Sequence, residues 1–315
     1  MAGAPGILLT VIGGYLGAGK TTLLNHVLRD AGDRRLALLV NDFGAINIDA
    51  ELVQSRDGEM LSLTNGCICC GIGGDFIAAL ARLRDVDDPP EHVVVEASGV
   101  ADPHQIAILG DMPGYRRDAV VVVVDAETAR ERAADEHTGH EVLRQLHAAD
   151  LLVVSKTDLV EPAAVAELHD WLRAVAGPST GIVDAVYGNV PTDVLIGARD
   201  PILRPPQHDH HDHTHYETWS WSGDVPLAGH GFVDALRALP DGIVRAKGLL
   251  HLREDPGTRY LLQLVGRRYS IEAHGPWGDE PPCSRLVVIG LPGSVDEAAL
   301  EVTMAGLTNV QPAAG

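Results

Sequence analysis

Residues 7–12, 36–40, 93–95, 119–124 and 151–154 are largely apolar and rich in β-branched side chains, without alternation. A strand with one face in water shows polar residues at every second position. An unbroken apolar run is buried on both faces, the mark of a parallel sheet. Residues 181–186 form a further strand of this kind. Between these runs the spacing becomes helical, with Leu23, Leu24, Val27 and Leu28 inside residues 21–29. Residues 75–83, 126–148 (Val142, Leu143 and Leu146 on one face) and 161–176 follow the same period. Strand and helix alternate from Ile7 to about Ile196. This predicts an α/β domain, a doubly wound and mostly parallel sheet with its chemistry along one rim. Residues 199–206 turn to proline and charge, as a linker does. Beyond Thr218 the runs 249–252, 260–265, 268–273 and 286–289 read as strands, and 233–239 and 295–304 as helices. The expected division is residues 1–198, a linker over 199–216, and a smaller C-terminal α+β domain over 217–315.

The first strand and first helix are joined by Gly14-Tyr15-Leu16-Gly17-Ala18-Gly19-Lys20-Thr21, which fits G-x-x-x-x-G-K-[ST] in its strand–loop–helix setting. The backbone of Gly14, Gly17, Ala18, Gly19 and Thr22 is expected to cradle phosphate at the positive end of the helix. Lys20 reaches the β- and γ-phosphates, and the Thr21 hydroxyl binds Mg²⁺. The second strand runs into Asp42, placed for Mg²⁺ or a switch. An ordinary turn rich in Asn, Asp and Gly is the alternative there, and Asp49 is a weaker candidate. The strand at 92–95 ends in Glu96, with Gly99 three residues on. That is the shape of a metal-directed carboxylate followed by a glycine amide aimed at the γ-phosphate. After residues 151–154 comes Ser155-Lys156-Thr157-Asp158. The Asp158 carboxylate can accept two hydrogen bonds from a guanine edge while the Lys156 stem covers the base; adenine offers no matching donor pair.

Thr64-Asn65-Gly66-Cys67-Ile68-Cys69-Cys70-Gly71 holds three of the four cysteines. Neighbouring cysteines bridge each other only under strain, so Cys67, Cys69 and Cys70 read as ligands of a thiophilic ion such as Zn²⁺, Co²⁺ or Cu⁺. The fourth ligand is open among a His, a carboxylate, water and Cys283. A redox thiol cluster and small buried hydrophobes are the other readings. His208, His210, His211, His213 and His215, with two Asp among them, suit loose metal capture in the linker. His230, His251 and His274 read as satisfied structural histidines.

Composition narrows the classes. A formal net charge of −20 argues against a nucleic-acid partner and is compatible with cations. No apolar run is long enough to cross a bilayer, and the start lacks the positive region of a signal peptide. The expectation is a cytoplasmic protein without a membrane partner. Among 24 Lys and Arg only Lys20, Lys156 and Lys247 are lysines, two of them in nucleotide motifs. The third, in Arg245-Ala246-Lys247-Gly248, has no evident chemical reason.

In this order the motifs resemble the CobW-like family of P-loop GTPases, which are metal chaperones or metallocentre-insertion factors. The resemblance covers nearly the whole chain. It rests on residues 13–22, Asn41-Asp42-Phe43-Gly44, Asn65-Gly66-Cys67-Ile68-Cys69-Cys70, Glu96-Ala97-Ser98-Gly99 and Ser155-Lys156-Thr157-Asp158, with the His-rich linker and Arg245-Ala246-Lys247-Gly248. Two departures stand out: Asn-Asp where the family more often has Asn-Glu, and Ser155 where guanine motifs usually have Asn. The resemblance implies a GTPase with Lys20, Glu96 and Gly99 in catalysis and Mg²⁺ on Thr21, Asp42 and Glu96. It further implies that Zn²⁺ or Co²⁺ on the three cysteines is delivered to a client metalloprotein under nucleotide control. A nucleotide-dependent homodimer is implied by related GTPases. The rival readings are a P-loop ATPase or kinase with a structural zinc, a His/Cys metal buffer, and a urease- or hydrogenase-type nickel GTPase.

Overall fold

The computed structural model describes residues 6–32, 34–41, 60–63, 74–185, 189–197, 216–278 and 280–308. These fall into two compact units, one running to Ile196 and one starting at Gly197. The first unit is a single seven-stranded sheet. Its strands are β1 (Ile7–Gly14), β2 (Leu36–Asn41), β3 (Met60–Leu63), β4 (His92–Glu96), β5 (Tyr115–Asp125), β6 (Leu151–Ser155) and β7 (Gly181–Ala185). They lie in the order β3-β2-β4-β1-β5-β6-β7, and every pairing is parallel. The expected doubly wound sheet is present.

The unbroken apolar runs are explained by cover on both faces. On one side Leu9, Val11, Leu39, Val93, Val95, Val122 and Val154 pack with buried residues of the helices α2 (Gly74–Arg84), α3 (Pro103–Ala107), α5 (Gly139–Ala148) and α6 (Pro162–Ala176). On the other, Leu23, Leu24 and Val27 of α1 (Lys20–Asp30) are at most 1 % exposed. Burial of each of those side chains contributes about 1.5–3 kcal/mol. The short helix α7 (Thr192–Ile196) packs against α1 and β5.

Three polar side chains cross the middle of this apolar sheet. Thr10 on β1 donates from Oγ1 to Asp118 Oδ2 on β5 at 2.7 Å, and lies 2.8 Å from His92 Nε2 on β4. The hydroxyl has one proton, which goes to the carboxylate. His92 Nε2 is therefore the donor in the other bond, which sets its tautomer. All three are buried, at 0, 5 and 3 % exposure.

Residues 126–148 are not one helix. They form α4 (Ala129–Ala134) and α5, separated by a turn. Asp135 causes the break: its Oδ1 accepts the N–H groups of His137 and Thr138, both at 2.9 Å. These bonds hold its carboxyl below the usual carboxylate range. An Asp side chain that captures the backbone N–H groups ahead of it competes with the helix. The period-based reading also overlooked β3, α3 and α7, each five residues or fewer. Tyr115 opens β5 four residues earlier than the apolar run suggested; its buried hydroxyl donates to Leu80 O at 2.6 Å and is pushed up to about 12.

The second unit holds an antiparallel sheet in the order β11-β10-β9-β12-β8. Its strands are β8 (Glu217–Gly223), β9 (Ile243–His251), β10 (Thr258–Val265), β11 (Arg268–Pro276) and β12 (Ser284–Gly290). The helices α8 (Gly229–Arg237) and α9 (Glu297–Thr308) supply Phe232, Leu236, Met304 and Leu307 to its core. β8 was not anticipated, although Trp219 is buried between exposed Thr218 and Ser220 in plain alternation. Lys247 is buried at 8 % exposure, paired across the sheet with Gln263 and Val287. Of the three histidines expected to be satisfied, His230 is exposed. His251 packs edge-on against Trp277, and its Nδ1 has no hydrogen-bond partner. Among the described residues no helix is long and apolar enough to cross a membrane.

Candidate nucleotide site

In a parallel sheet the loops after the strands share one rim, and the register shows which of them meet. Ile12 of β1 and Val40 of β2 both pair with Glu96 of β4. Gly14 pairs with Val123 of β5, and Asp125 at the end of β5 pairs with Ser155 at the end of β6. Neighbouring strands lie about 4.8 Å apart. The glycine loop thus opens between the carboxylate strand and the base-motif strands.

The loop takes a shape that its sequence requires. Gly14, Gly17 and Gly19 have φ of 135, 78 and 99°. At Gly14 a Cβ would lie 2.5 Å from Val123 O. Ala18 N donates to Tyr15 O at 3.1 Å and closes the turn, and Gly19 is the N-cap of α1. The first-turn N–H groups and the positive end of an eleven-residue helix, with no side-chain cap, then face the space above the loop. Lys20 Nζ donates to Gly14 O at 2.9 Å and reaches Tyr15 O at 3.5 Å, so the ammonium lies across its own loop. Thr21 is half-buried and Thr22 exposed in the first turn of the helix.

Glu96 is 3 % exposed. Alternation puts it on the same face of β4 as His92, the face that α1 covers. A buried carboxylate is a hard-oxygen donor of the kind that fits Mg²⁺. Gly99 lies against the glycine loop: a Cβ there would be 2.8 Å from Leu16 N and 2.6 Å from Leu16 Cδ2. Only glycine permits this approach.

The base motif is tied to the same loop. Ser155 Oγ lies 2.6 Å from Ala18 O and 3.2 Å from Val124 O. With one proton to give, the shorter contact is the principal bond. The Ser-for-Asn departure thus retains an anchor onto the glycine loop. Lys156 has φ of 58°, and its Nζ donates to Asp125 Oδ2 at 2.6 Å. The other oxygen of Asp125 accepts from Glu127 N at 2.9 Å, which fixes the carboxylate on both sides. Asp158 is exposed in the short 3-10 turn Thr157–Leu159. A small cleft is lined by Tyr15, Leu16, Asp125, Arg132 and Gln145.

Gly14, Gly17, Ala18, Gly19, Lys20, Thr21, Thr22, Glu96, Gly99, Ser155, Lys156 and Asp158 therefore all lie along one rim, at strand ends, in the loops that follow them or in the first turn of α1. Asp42, Asp49, Cys67, Cys69, Cys70, His208, His210, His211, His213 and His215 lie outside the described residues. Among the described residues no group of three or more His, Cys, Asp or Glu side chains could hold a metal ion. Cys283 is a free, half-buried thiol of the second unit. Reasoning from sequence missed two side chains, Asp125 and Gln145. Asp125 ends a buried strand at the rim, as Glu96 does, and that signal would have found it. Gln145 is a polar residue on an apolar helix face, with nothing in its surroundings along the chain to mark it.

Residues 8–181 match the family described as CobW/HypB/UreG, nucleotide-binding domain, and residues 216–308 the cobalamin synthesis protein cobW C-terminal domain. The chain is 31 % identical to the zinc chaperone CobW of a Sinorhizobium species, over 95 % of this chain and 96 % of that one. It is 28 % identical to the zinc chaperone YjiA of Escherichia coli, over 96 and 98 %. Identity to the zinc-regulated GTPase metalloprotein activator 1 of Schizosaccharomyces pombe is also 28 %, over 58 % of this chain and 46 % of that protein.

Proposed function

Because the chain belongs to the CobW/HypB/UreG family of P-loop nucleotide-binding proteins, we propose that it hydrolyses GTP and uses the nucleotide to control a transition-metal site. The metal is its cargo, Zn²⁺ or Co²⁺, held by Cys67, Cys69 and Cys70 and passed to a client metalloprotein. Zinc is favoured by the names of the full-length relatives. The observation that carries the reading is strand order. β3 pairs with β2, Leu63 against Asn41, and β2 pairs with β4. The segment with the three cysteines follows Leu63 in the chain, and that with Asp42 follows Asn41. Both β2 and β3 end on the rim of the glycine loop, so nucleotide and metal can bias the same backbone.

The roles follow from chemistry. The amides from Gly17 to Thr22 and Lys20 bind the phosphates. Gly99 N–H meets the γ-phosphate, and Glu96 and Thr21, with Asp42, hold Mg²⁺. When bound, Mg²⁺ neutralises charge developing on the phosphate oxygens. Lys156, braced by Asp125, presents its stem to the base, and Asp158 selects guanine. Loss of that carboxylate removes charge-assisted hydrogen bonds worth about 1.5–3 kcal/mol. Asp158→Ala should therefore weaken GDP binding about 10- to 100-fold and erase preference over ADP. Titration calorimetry with both nucleotides checks this; a variant that still prefers GDP as strongly as before would remove Asp158 from the base site.

Coupling is tested by competitive Zn²⁺ titration with a Mg-bound GTP analogue and with Mg-GDP. A tenfold tighter zinc site in the triphosphate state corresponds to ~1.4 kcal/mol of coupling. The difference should vanish when Cys67, Cys69 and Cys70 are all replaced by serine. Equal zinc affinities in the two nucleotide states would leave only a metal buffer beside a GTPase.

A further inference from the structure

Gln145 lies on α5, 1 % exposed, where a helix face otherwise buries Val142 and Leu146. A glutamine in such a place keeps its amide only where the amide is used. Its Nε2 donates to Gly99 O at 2.9 Å and to Ala101 O at 3.0 Å. Both acceptors are carbonyl oxygens, so the nitrogen must face them and the amide orientation is fixed by chemistry. The two bonds span the turn that Ala101 N closes onto Ser98 O at 2.9 Å. The same turn presses Gly99 against Leu16 of the glycine loop. Thus one side chain, 46 residues on from Gly99, holds the carbonyls of the two residues that flank Val100. Gln145 Oε1 is buried and has no hydrogen-bond partner, which no packing role explains. That orphan acceptor is tolerated because the two protons on nitrogen are needed.

We propose that Gln145 is a positioning residue for the γ-phosphate sensor: by holding Gly99 O and Ala101 O it fixes the turn from Ser98 to Ala101, and through that turn the direction of Gly99 N–H. The proposal rests on the GTPase reading above and adds a residue that touches no nucleotide. It separates two kinds of binding energy. GDP is held by the glycine loop and by the base motif, while the hydrogen bonds described for Gln145 go to Gly99 O and Ala101 O. Only the third phosphate depends on where Gly99 sits. Gln145 therefore sets discrimination between tri- and diphosphate, and the rate of hydrolysis, with little effect on GDP affinity.

The test is Gln145→Met, which keeps length and apolar volume and removes both donors. GDP and a non-hydrolysable GTP analogue are titrated with Mg²⁺, and single-turnover hydrolysis is followed. We expect GDP affinity within about twofold of wild type, analogue affinity reduced about tenfold (~1.4 kcal/mol) and hydrolysis slowed by at least as much. Val142→Ala, which loosens the same helix face and keeps the Gln145 bonds to Gly99 O and Ala101 O, should leave the ratio of the two affinities unchanged. Equal weakening of both nucleotides by Q145M, no change in either, or the same altered ratio in V142A would each overturn the proposal. Should Q145M not fold, Gln145→Asn, too short to reach both carbonyls, carries the same expectation and the same refutation. Wild-type protein that binds neither guanine nucleotide would overturn the GTPase reading itself, and is told apart by the unmutated control.

Discussion

Lys20→Ala is expected to lower GTP hydrolysis by about 10²–10³-fold, or roughly 3–4 kcal/mol of transition-state stabilisation. The ammonium bonds to Gly14 O and Tyr15 O, carbonyls at the start of its own loop. In the proposed GTPase, charge that grows on the transferring phosphoryl group would meet that ammonium, and an alanine methyl would leave it unanswered. The change should not disturb the fold, because alanine is the best helix former at the first position of α1. Phosphate release at saturating GTP, with circular dichroism as the control for folding, makes the measurement. A folded variant whose turnover stays within threefold of wild type would take Lys20 out of the reaction. Lys20→Arg should not restore the rate, since a planar guanidinium cannot replace a compact charge in a loop this tight.

The largest expected effect on stability is at Asp118. Its carboxylate accepts from Thr10, which in turn accepts from His92, all inside the three central strands. Asp118→Ala leaves the Thr10 hydroxyl proton without that acceptor and a small cavity in an otherwise apolar layer. Removing one member of a buried hydrogen-bonded set of this kind costs about 3 kcal/mol or more. Urea unfolding should show a lower midpoint for the first unit with an unchanged slope. Thr10→Val, which removes the link and replaces it with a shape of similar size, should cost less than Asp118→Ala. Should Asp118→Ala cost under 1 kcal/mol, the trio is solvated in a way its burial does not show.

The glycine loop, Glu96, Gly99 and the Ser155–Asp158 motif were legible because each is a short pattern hung on a strand, and the strands announce themselves by composition. A run such as residues 119–124 can be stable only if both faces are covered, so sequence alone implies a parallel sheet and helices around it. Once the sheet is parallel, the ends of its strands must gather on one side. The reading lost the turn at Asp135, because a local side-chain bond overrode a long helical period. It lost β8 because an alternating edge strand of two tryptophans and three small polar residues carries little apolar weight. It lost Gln145 and the Asp125–Lys156 pair because each partner is distant in the chain.

The chain by itself determined the architecture of its first unit and the type of chemistry on its rim, since burial on two faces and phosphate-binding geometry depend on residues near in sequence. Which residues brace that chemistry was decided only by the tertiary structure. Register brought Asp125 beside Lys156, Ser155 onto Ala18, and Gln145 under Gly99. Such contacts join segments 31 to 137 residues apart, and no local preference of either partner encodes them.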